Sequence, residues 1–214
     1  MTRVAILISG NGTNLQAFID AVAAGSLEVS IALVLSNQPD AYGLKRAREA
    51  GIPTQCVQNA DYEDRESFDR AMIDALDRYQ VDLAILAGFM RILSSVFIRR
   101  FEGRVLNIHP ALLPKFPGLN THQRAIEAGD KWHGSTVHFV TEELDGGPRI
   151  LQGRVTVRSD DTASLLSARV QAVEHKIYPQ AAAMFASGRI EFRDGDTWLD
   201  GARLDEPVQL ESDN

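Results

Sequence analysis

Val4-Ala5-Ile6-Leu7-Ile8-Ser9-Gly10-Asn11-Gly12-Thr13-Asn14-Leu15 decides how the rest of the chain is read. Val4–Ile8 is an unbroken apolar run of strand length, so a strand here is covered on both faces. Ser9–Asn14 is a polar, Gly-containing loop. From Leu15 the spacing changes to Leu15, Phe18, Ile19 and Val22, which predicts a helix over 15–24 stopped by Gly25. Strand, loop, helix is the opening of an α/β unit. The same alternation continues, with strands expected over 31–35, 54–57, 83–87 and 105–109. Helices are expected over 43–50, 62–79 and 94–101. Apolar strands separated by helices predict a doubly wound α/β architecture with a mainly parallel sheet.

The pattern changes beyond Pro110. Residues 111–119 form a loop containing Pro114, Pro117 and Gly118, followed by a short helix over 123–128. Strands are expected over 135–140 and 150–157. The acidic, Gly-rich link Thr141–Pro148 between them is too short for a crossover, so this pair runs antiparallel. Leu166, Val170, Val173 and Ile177 mark the core stripe of a long C-terminal helix over 163–185. A hairpin over 190–199 and an acidic, frayed tail over 205–214 complete the expectation. With no linker, repeat or low-complexity tract, residues 1–204 read as a single domain.

The 214 residues carry 22 Lys and Arg against 29 Asp and Glu, a formal charge of −7. Area scaling lets a chain of this length bury about 70% of its unfolded surface, enough for a core without disulfide or metal staples. The acidic balance argues against nucleic-acid and acidic-lipid surfaces as partners, though a few local donors still suffice for a small anion. Cys56 is the one cysteine, so no internal disulfide forms. Thr2–Ile8 is too short to span a membrane and lacks a signal-peptide pattern. A cytoplasmic protein is expected.

Ser9–Asn14 lies where a strand hands over to a helix, and there backbone N–H groups and the helix dipole attract phosphate. Gly10 and Gly12 permit close approach, while Thr13 and Asn14 add donors. Leu15 stands where a dinucleotide fingerprint has its third Gly, and the Gly-Lys-Ser/Thr of a P-loop is absent. A monophosphate fits better than a dinucleotide or triphosphate; a plain turn fits equally.

Asn107 and His109 alternate onto one face at the end of the fifth strand, ahead of Pro110. Ligands of open α/β sheets bind beyond the carboxyl ends of the strands, where an amide and an imidazole can stabilise one oxyanion. A structural histidine is the competing reading. Asp145, in the acidic turn, is either a solvated hairpin tip or a partner for His109. As a partner, its carboxylate would stabilise the imidazolium, raise its pKa and keep it an acid near neutral pH. Gly88–Leu93 reads as an apolar cap or as a pocket wall for a flat ligand. Gln171 and Glu174 share a helix face and read as solvent polars or as groups gripping a sugar or amine. His122, His133, His138 and His175 show no metal-ligand spacing, and no metal is expected. His138, on a strand, is a further candidate to face the site.

Four motifs occur in order: Ser9-Gly10-Asn11-Gly12-Thr13-Asn14-Leu15-Gln16, Leu86-Ala87-Gly88-Phe89-Met90-Arg91-Ile92-Leu93, Asn107-Ile108-His109-Pro110-Ala111-Leu112-Leu113-Pro114 and Glu143-Leu144-Asp145-Gly146-Gly147-Pro148. Together they closely resemble the phosphoribosylglycinamide formyltransferases, folate-dependent enzymes of purine biosynthesis and one-carbon metabolism. The likeness runs from the first strand to about Leu204. It implies a Rossmann-like formyltransferase fold, and a catalytic trio at Asn107, His109 and Asp145. It also implies a ribonucleotide site at Gly12, Thr13, Asn14, Gln171 and Glu174. The 10-formyltetrahydrofolate co-substrate would meet Arg65, Met90, Arg91, Ile92, Leu93, Asn107, Thr141, Glu142, Glu143, Leu144 and Asp145. The expected partners are glycinamide ribonucleotide and formyl-folate, with the chain a monomer or weak homodimer.

The chain departs from the family pattern with Thr13 where serine is usual, Ala111 after His-Pro, and Asn120 where some relatives carry histidine. Two alternatives stand beside the transferase: a formyltetrahydrofolate hydrolase, and a non-catalytic nucleotide-binding regulator. Hydrolases of this kind usually carry a regulatory domain ahead of the α/β half, and here the first strand begins at residue 2, so the transferase is expected.

Overall fold

The computed structural model describes residues 1–211. The chain divides into two compact units, Met1–Asn107 and Ile108–Asn214, where a single domain over 1–204 is expected from the sequence. The division falls within one strand. Among the described residues no helix is long and apolar enough to cross a membrane.

In the first unit the expected alternation is present as β1 (Thr2–Ile8), α1 (Thr13–Ala23), β2 (Val29–Ser36), α2 (Tyr42–Glu49), β3 (Thr54–Cys56), α3 (Arg65–Arg78), β4 (Leu83–Leu86), α4 (Ser95–Arg100) and β5 (Val105–His109). The strands lie in the order β5-β4-β1-β2-β3, all parallel. Val4 to Ile8 are fully buried, as are Leu83 to Ile85. This is why these strands are apolar throughout rather than alternating. The order reverses between β1 and β4, and the loops leaving those two strands, Ser9–Gly12 and Ala87–Ser94, therefore diverge from one point. Helix α3 starts three residues later than its apolar spacing predicts. Asp64 accepts a hydrogen bond from the Ser67 N–H at 2.7 Å and caps it, and a 3-10 turn over Asn59–Asp61 takes up the chain before it.

The second unit contains α5 (Thr121–Glu127), β6 (Trp132–Phe139), β7 (Arg149–Thr156), α6 (Ala163–Ala186), β8 (Ile190–Arg193), β9 (Asp196–Leu199), β10 (Ala202–Arg203) and β11 (Val208–Glu211). Strands β6 and β7 pair antiparallel, as their short link requires. The expected hairpin is β8–β9, extended by β10 into a separate antiparallel sheet. The frayed tail expected over 205–214 is corrected for Val208–Glu211. These residues pair in parallel with Leu151–Arg154 of β7, and the Gln209 side chain donates to Gln152 Oε1 at 3.0 Å. The last three residues of that expected tail lie outside the described ones. Val208 and Leu210, set among acids, are the apolar alternation that a charge-based reading passes over.

Helix α6 packs on β7 through the expected stripe, with Leu166, Val170, Val173 and Ile177 all buried. Gly153 makes this contact possible, because a Cβ there would lie 2.0 Å from Val173 Cγ1 and 3.1 Å from Ile177 Cγ2. Gly153→Ala is therefore expected to destabilise the fold by about 1–3 kcal/mol through overpacking. A lowered urea midpoint with an unchanged slope would bear this out, whereas a wild-type midpoint would mean that α6 shifts freely.

Candidate active site

In the first unit, the loop after β1 is held by its neighbours. Gly12 has φ 71°, a left-handed conformation suited to glycine, and it precedes α1 without providing any side-chain cap. A Cβ on Gly12 would meet Gly43 Cα at 2.8 Å, and the Gly43 N–H donates to the Gly10 carbonyl at 3.0 Å. Thr13 opens α1, with Asn14 next in the same first turn. Ser9 joins this loop to the one after β4. Its hydroxyl donates to Asn37 Oδ1 at 2.6 Å and accepts from the Met90 N–H at 2.8 Å, while its own N–H donates to the Gly88 carbonyl.

Met90, Arg91 and Ile92 are exposed beyond β4, whereas Leu93 is buried. Arg65, another expected folate residue, is exposed at the first position of α3. Behind this loop lies Asp69, a buried carboxylate that accepts from the Ser94 N–H at 2.5 Å. Burial pushes the Asp69 carboxyl up, against the pull of Ser94 and the guanidinium groups of Arg65 and Arg91. Asn107 sits on β5, in register with Leu86 of β4.

In the second unit, the expected pairing of His109 with Asp145 is present. Asp145 Oδ2 lies 3.4 Å from His109 Nδ1, and both side chains are 7% exposed. The same Oδ2 accepts from the Gly118 N–H at 2.9 Å. The far ring nitrogen, His109 Nε2, lies 2.9 Å from the Phe116 carbonyl oxygen. That oxygen can only accept, so Nε2 carries a proton. Both ring nitrogens thus face oxygens. Asp145 itself has φ 53°, and the facing loop has Phe116, Gly118 and Asn120 at φ 55°, 79° and 58°. Thr141 is half-buried in the acidic turn, and Glu142, Glu143 and Leu144 are exposed.

Ser135 of β6, fully buried, lies behind the histidine. Its hydroxyl is 2.8 Å from the His109 carbonyl and 3.0 Å from Glu174 Oε1, so its single proton serves one oxygen at a time. Gln171 and Glu174 do not share one environment, since Gln171 is exposed and Glu174 buried on α6. The solvent-polar reading is therefore corrected for Glu174. His138 is buried in β6, with Nδ1 2.8 Å from the Phe139 carbonyl. Burial holds its ring below the usual range, and the charges of Asp145 and His109 act on it in opposite senses.

His133 and His122 meet at 3.1 Å, Nε2 to Nδ1. Burial holds both below the usual range, His133 at about 4. Of the departures, Ala111 is fully buried and engages through its backbone, its N–H donating to the His109 carbonyl and its own carbonyl accepting from Thr136 Oγ1. Asn120 precedes α5 without a side-chain capping bond. Asp69, Phe116, Gly118 and Ser135 are neighbours of the candidate site residues that sequence reading does not assign. The contacts of Phe116 and Gly118 are made by backbone, which leaves no trace in residue type.

The sequence profile of the family described as formyl transferase matches residues 2–182. The phosphoribosylglycinamide formyltransferase of Escherichia coli (strain K12) is 51% identical over 202 residues, 94% of this chain and 95% of that protein. The solved phosphoribosylglycinamide formyltransferase of Coxiella burnetii, in complex with CHES, matches with a TM-score of 0.94 at 45% identity, covering 98% of this chain and 99% of that one. A formyltetrahydrofolate deformylase from Pseudomonas syringae pv. tomato matches with a TM-score of 0.85 at 28% identity, covering 92% of this chain and 65% of that one. The chain belongs to the formyl transferase family and, within it, to the phosphoribosylglycinamide formyltransferases.

The buried His133 carries a consequence for pH. Its ring is neutral in the fold down to about pH 4, whereas in the unfolded chain it takes up a proton near 6.5. Its contribution is therefore complete above pH 6.5 and is lost as pH falls toward 4. Tm is expected to drop over this window, and to drop less steeply in His133→Gln. Parallel Tm profiles of the two proteins would exclude His133 as a source of the slope.

Proposed function

We propose that the chain transfers the formyl group of 10-formyltetrahydrofolate to the amine of glycinamide ribonucleotide. The observation that carries this reading is the Asp145 carboxylate facing the His109 ring from 3.4 Å, with both side chains largely buried. Membership of the transferase family supports this pair of substrates. The phosphate is assigned to Gly12, Thr13 and Asn14, and the rest of the ribonucleotide to Gln171 and Glu174. The folate is assigned to Arg65, Met90 through Leu93, Asn107 and Thr141 through Asp145.

In the reaction the amine lone pair attacks the formyl carbon, and the carbonyl π electrons move to oxygen as an alkoxide. The amide N–H of Asn107 and the protonated His109 ring donate to that oxygen. His109 Nε2 already donates to one oxygen, the Phe116 carbonyl, and the alkoxide takes that carbonyl's place. Asp145 supplies the opposite charge to the imidazolium and, through water, receives the amine proton. Collapse of the intermediate breaks the bond to the folate nitrogen, which takes back through water the proton held by Asp145 and leaves as tetrahydrofolate. A buried carboxylate with one ring nitrogen and one backbone N–H as partners keeps its geometry through the cycle, so little reorganisation is needed as charge develops.

Mixing the protein with formyl-folate, with and without glycinamide ribonucleotide, tests the reading. Tetrahydrofolate released only with the amine supports the transferase. Release without it would favour the hydrolase, and no release a binding protein. Asp145→Asn preserves an acceptor for Gly118 but removes the charge. It and His109→Ala are each expected to fold and to lose about 10²–10³ in turnover. Near-normal turnover in either would remove that residue from the mechanism.

A further inference from the structure

The phosphate assigned above to the loop before α1 has no basic side chain within that loop, because Ser9–Asn14 contains neither Lys nor Arg. Arg46, on α2, addresses the loop from behind with all three of its guanidinium nitrogens. Nε donates to the Asn11 backbone carbonyl at 2.9 Å and Nη2 to the Asn11 side-chain oxygen at 3.2 Å. Nη1 donates to Gln16 Oε1 at 3.1 Å, one turn into α1. The guanidinium carbon also stacks 4.9 Å from the Tyr42 ring centroid, which fixes its plane.

The carbonyl gripped by Nε belongs to the peptide unit whose N–H is that of Gly12. In a trans peptide these two groups point in opposite directions, so holding the oxygen aims the hydrogen. A cationic donor on the carbonyl also polarises the amide and strengthens its N–H as a donor. The clamp sits where it is most needed. Gly12 is left-handed, and glycine rotates between φ > 0 and φ < 0 with little penalty, so an unheld peptide can turn its N–H away.

We propose that Arg46 is a positioning residue for the ribonucleotide phosphate, setting the Gly12 N–H through the Asn11 carbonyl. This rests on the assignment of the phosphate to that loop. The fork geometry, rather than charge alone, is what the proposal requires, since a lysine ammonium cannot hold two oxygens of Asn11 and one of Gln16 together.

The test compares KM for glycinamide ribonucleotide with KM for its phosphate-free nucleoside, in wild type, Arg46→Met and Arg46→Lys. Wild type is expected to prefer the phosphorylated substrate. Arg46→Met is expected to cut that preference about tenfold, equivalent to about 1.4 kcal/mol. The change falls on the ribonucleotide KM and leaves the formyl-folate KM in place, and Arg46→Lys recovers only a minor part. If wild type handles both substrates alike, the phosphate assignment fails and the proposal with it. If wild type discriminates and Arg46→Met discriminates equally, the role of Arg46 alone fails. Full rescue by lysine, or a matching rise in the formyl-folate KM, also overturns it. Should Arg46→Met not fold, Arg46→Lys carries the same comparison, with an unchanged preference ratio counting against the proposal.

Discussion

A carboxylate removed from water must be matched by donors, and in this protein that requirement organises the second unit. Asp145 sits 7% exposed with one oxygen serving both the His109 ring and the Gly118 N–H. An isolated buried charge would cost several kcal/mol, so the acidic turn, the strand end and the Phe116–Gly118 loop are bound to one another by that oxygen. The backbone reflects the demand. Asp145, Phe116 and Asn120 all adopt left-handed conformations that non-glycine residues rarely take. Such positions persist where the surroundings over-determine them.

The first unit solves a different problem with similar means. Ser9 ties its loops after β1 and β4 together, its N–H donating to the Gly88 carbonyl and its hydroxyl accepting from the Met90 N–H. The far end of the β4 loop is fixed by Asp69, and the β1 loop is pressed against Gly43 and gripped by Arg46. In both units a polar side chain reaches the backbone of another loop and sets the direction of an N–H or a carbonyl.

This explains what was and was not legible in the sequence. Period and punctuation were legible: Val4–Ile8 ending at a Gly loop, Val105–His109 ending at Pro110, and the 166–170–173–177 stripe all state their roles in residue type. The pairing of Asp145 with His109 was legible only as one of two readings, because an acidic Gly turn looks the same whether solvated or folded inward. Phe116 was not legible at all, since its contribution is a carbonyl that every residue possesses. Glu174 reads as a helix polar because nothing near it in sequence announces that α6 packs it against β6, where it accepts from Ser135, 39 residues away. The strand at 208–211 was masked by its acidic neighbours. Thr13 and Ala111 read as departures, yet the backbone at Ala111 forms its bonds regardless of side chain.

That terminal strand has a consequence beyond topology. By lying along Leu151–Arg154 it occupies the outer rim of β7, which would otherwise present a row of bare peptide groups to any passing chain. Val208–Glu211 thereby become the sheet's outermost strand, so the exposed rim is only four residues long, and so short an edge gives another chain little to pair with.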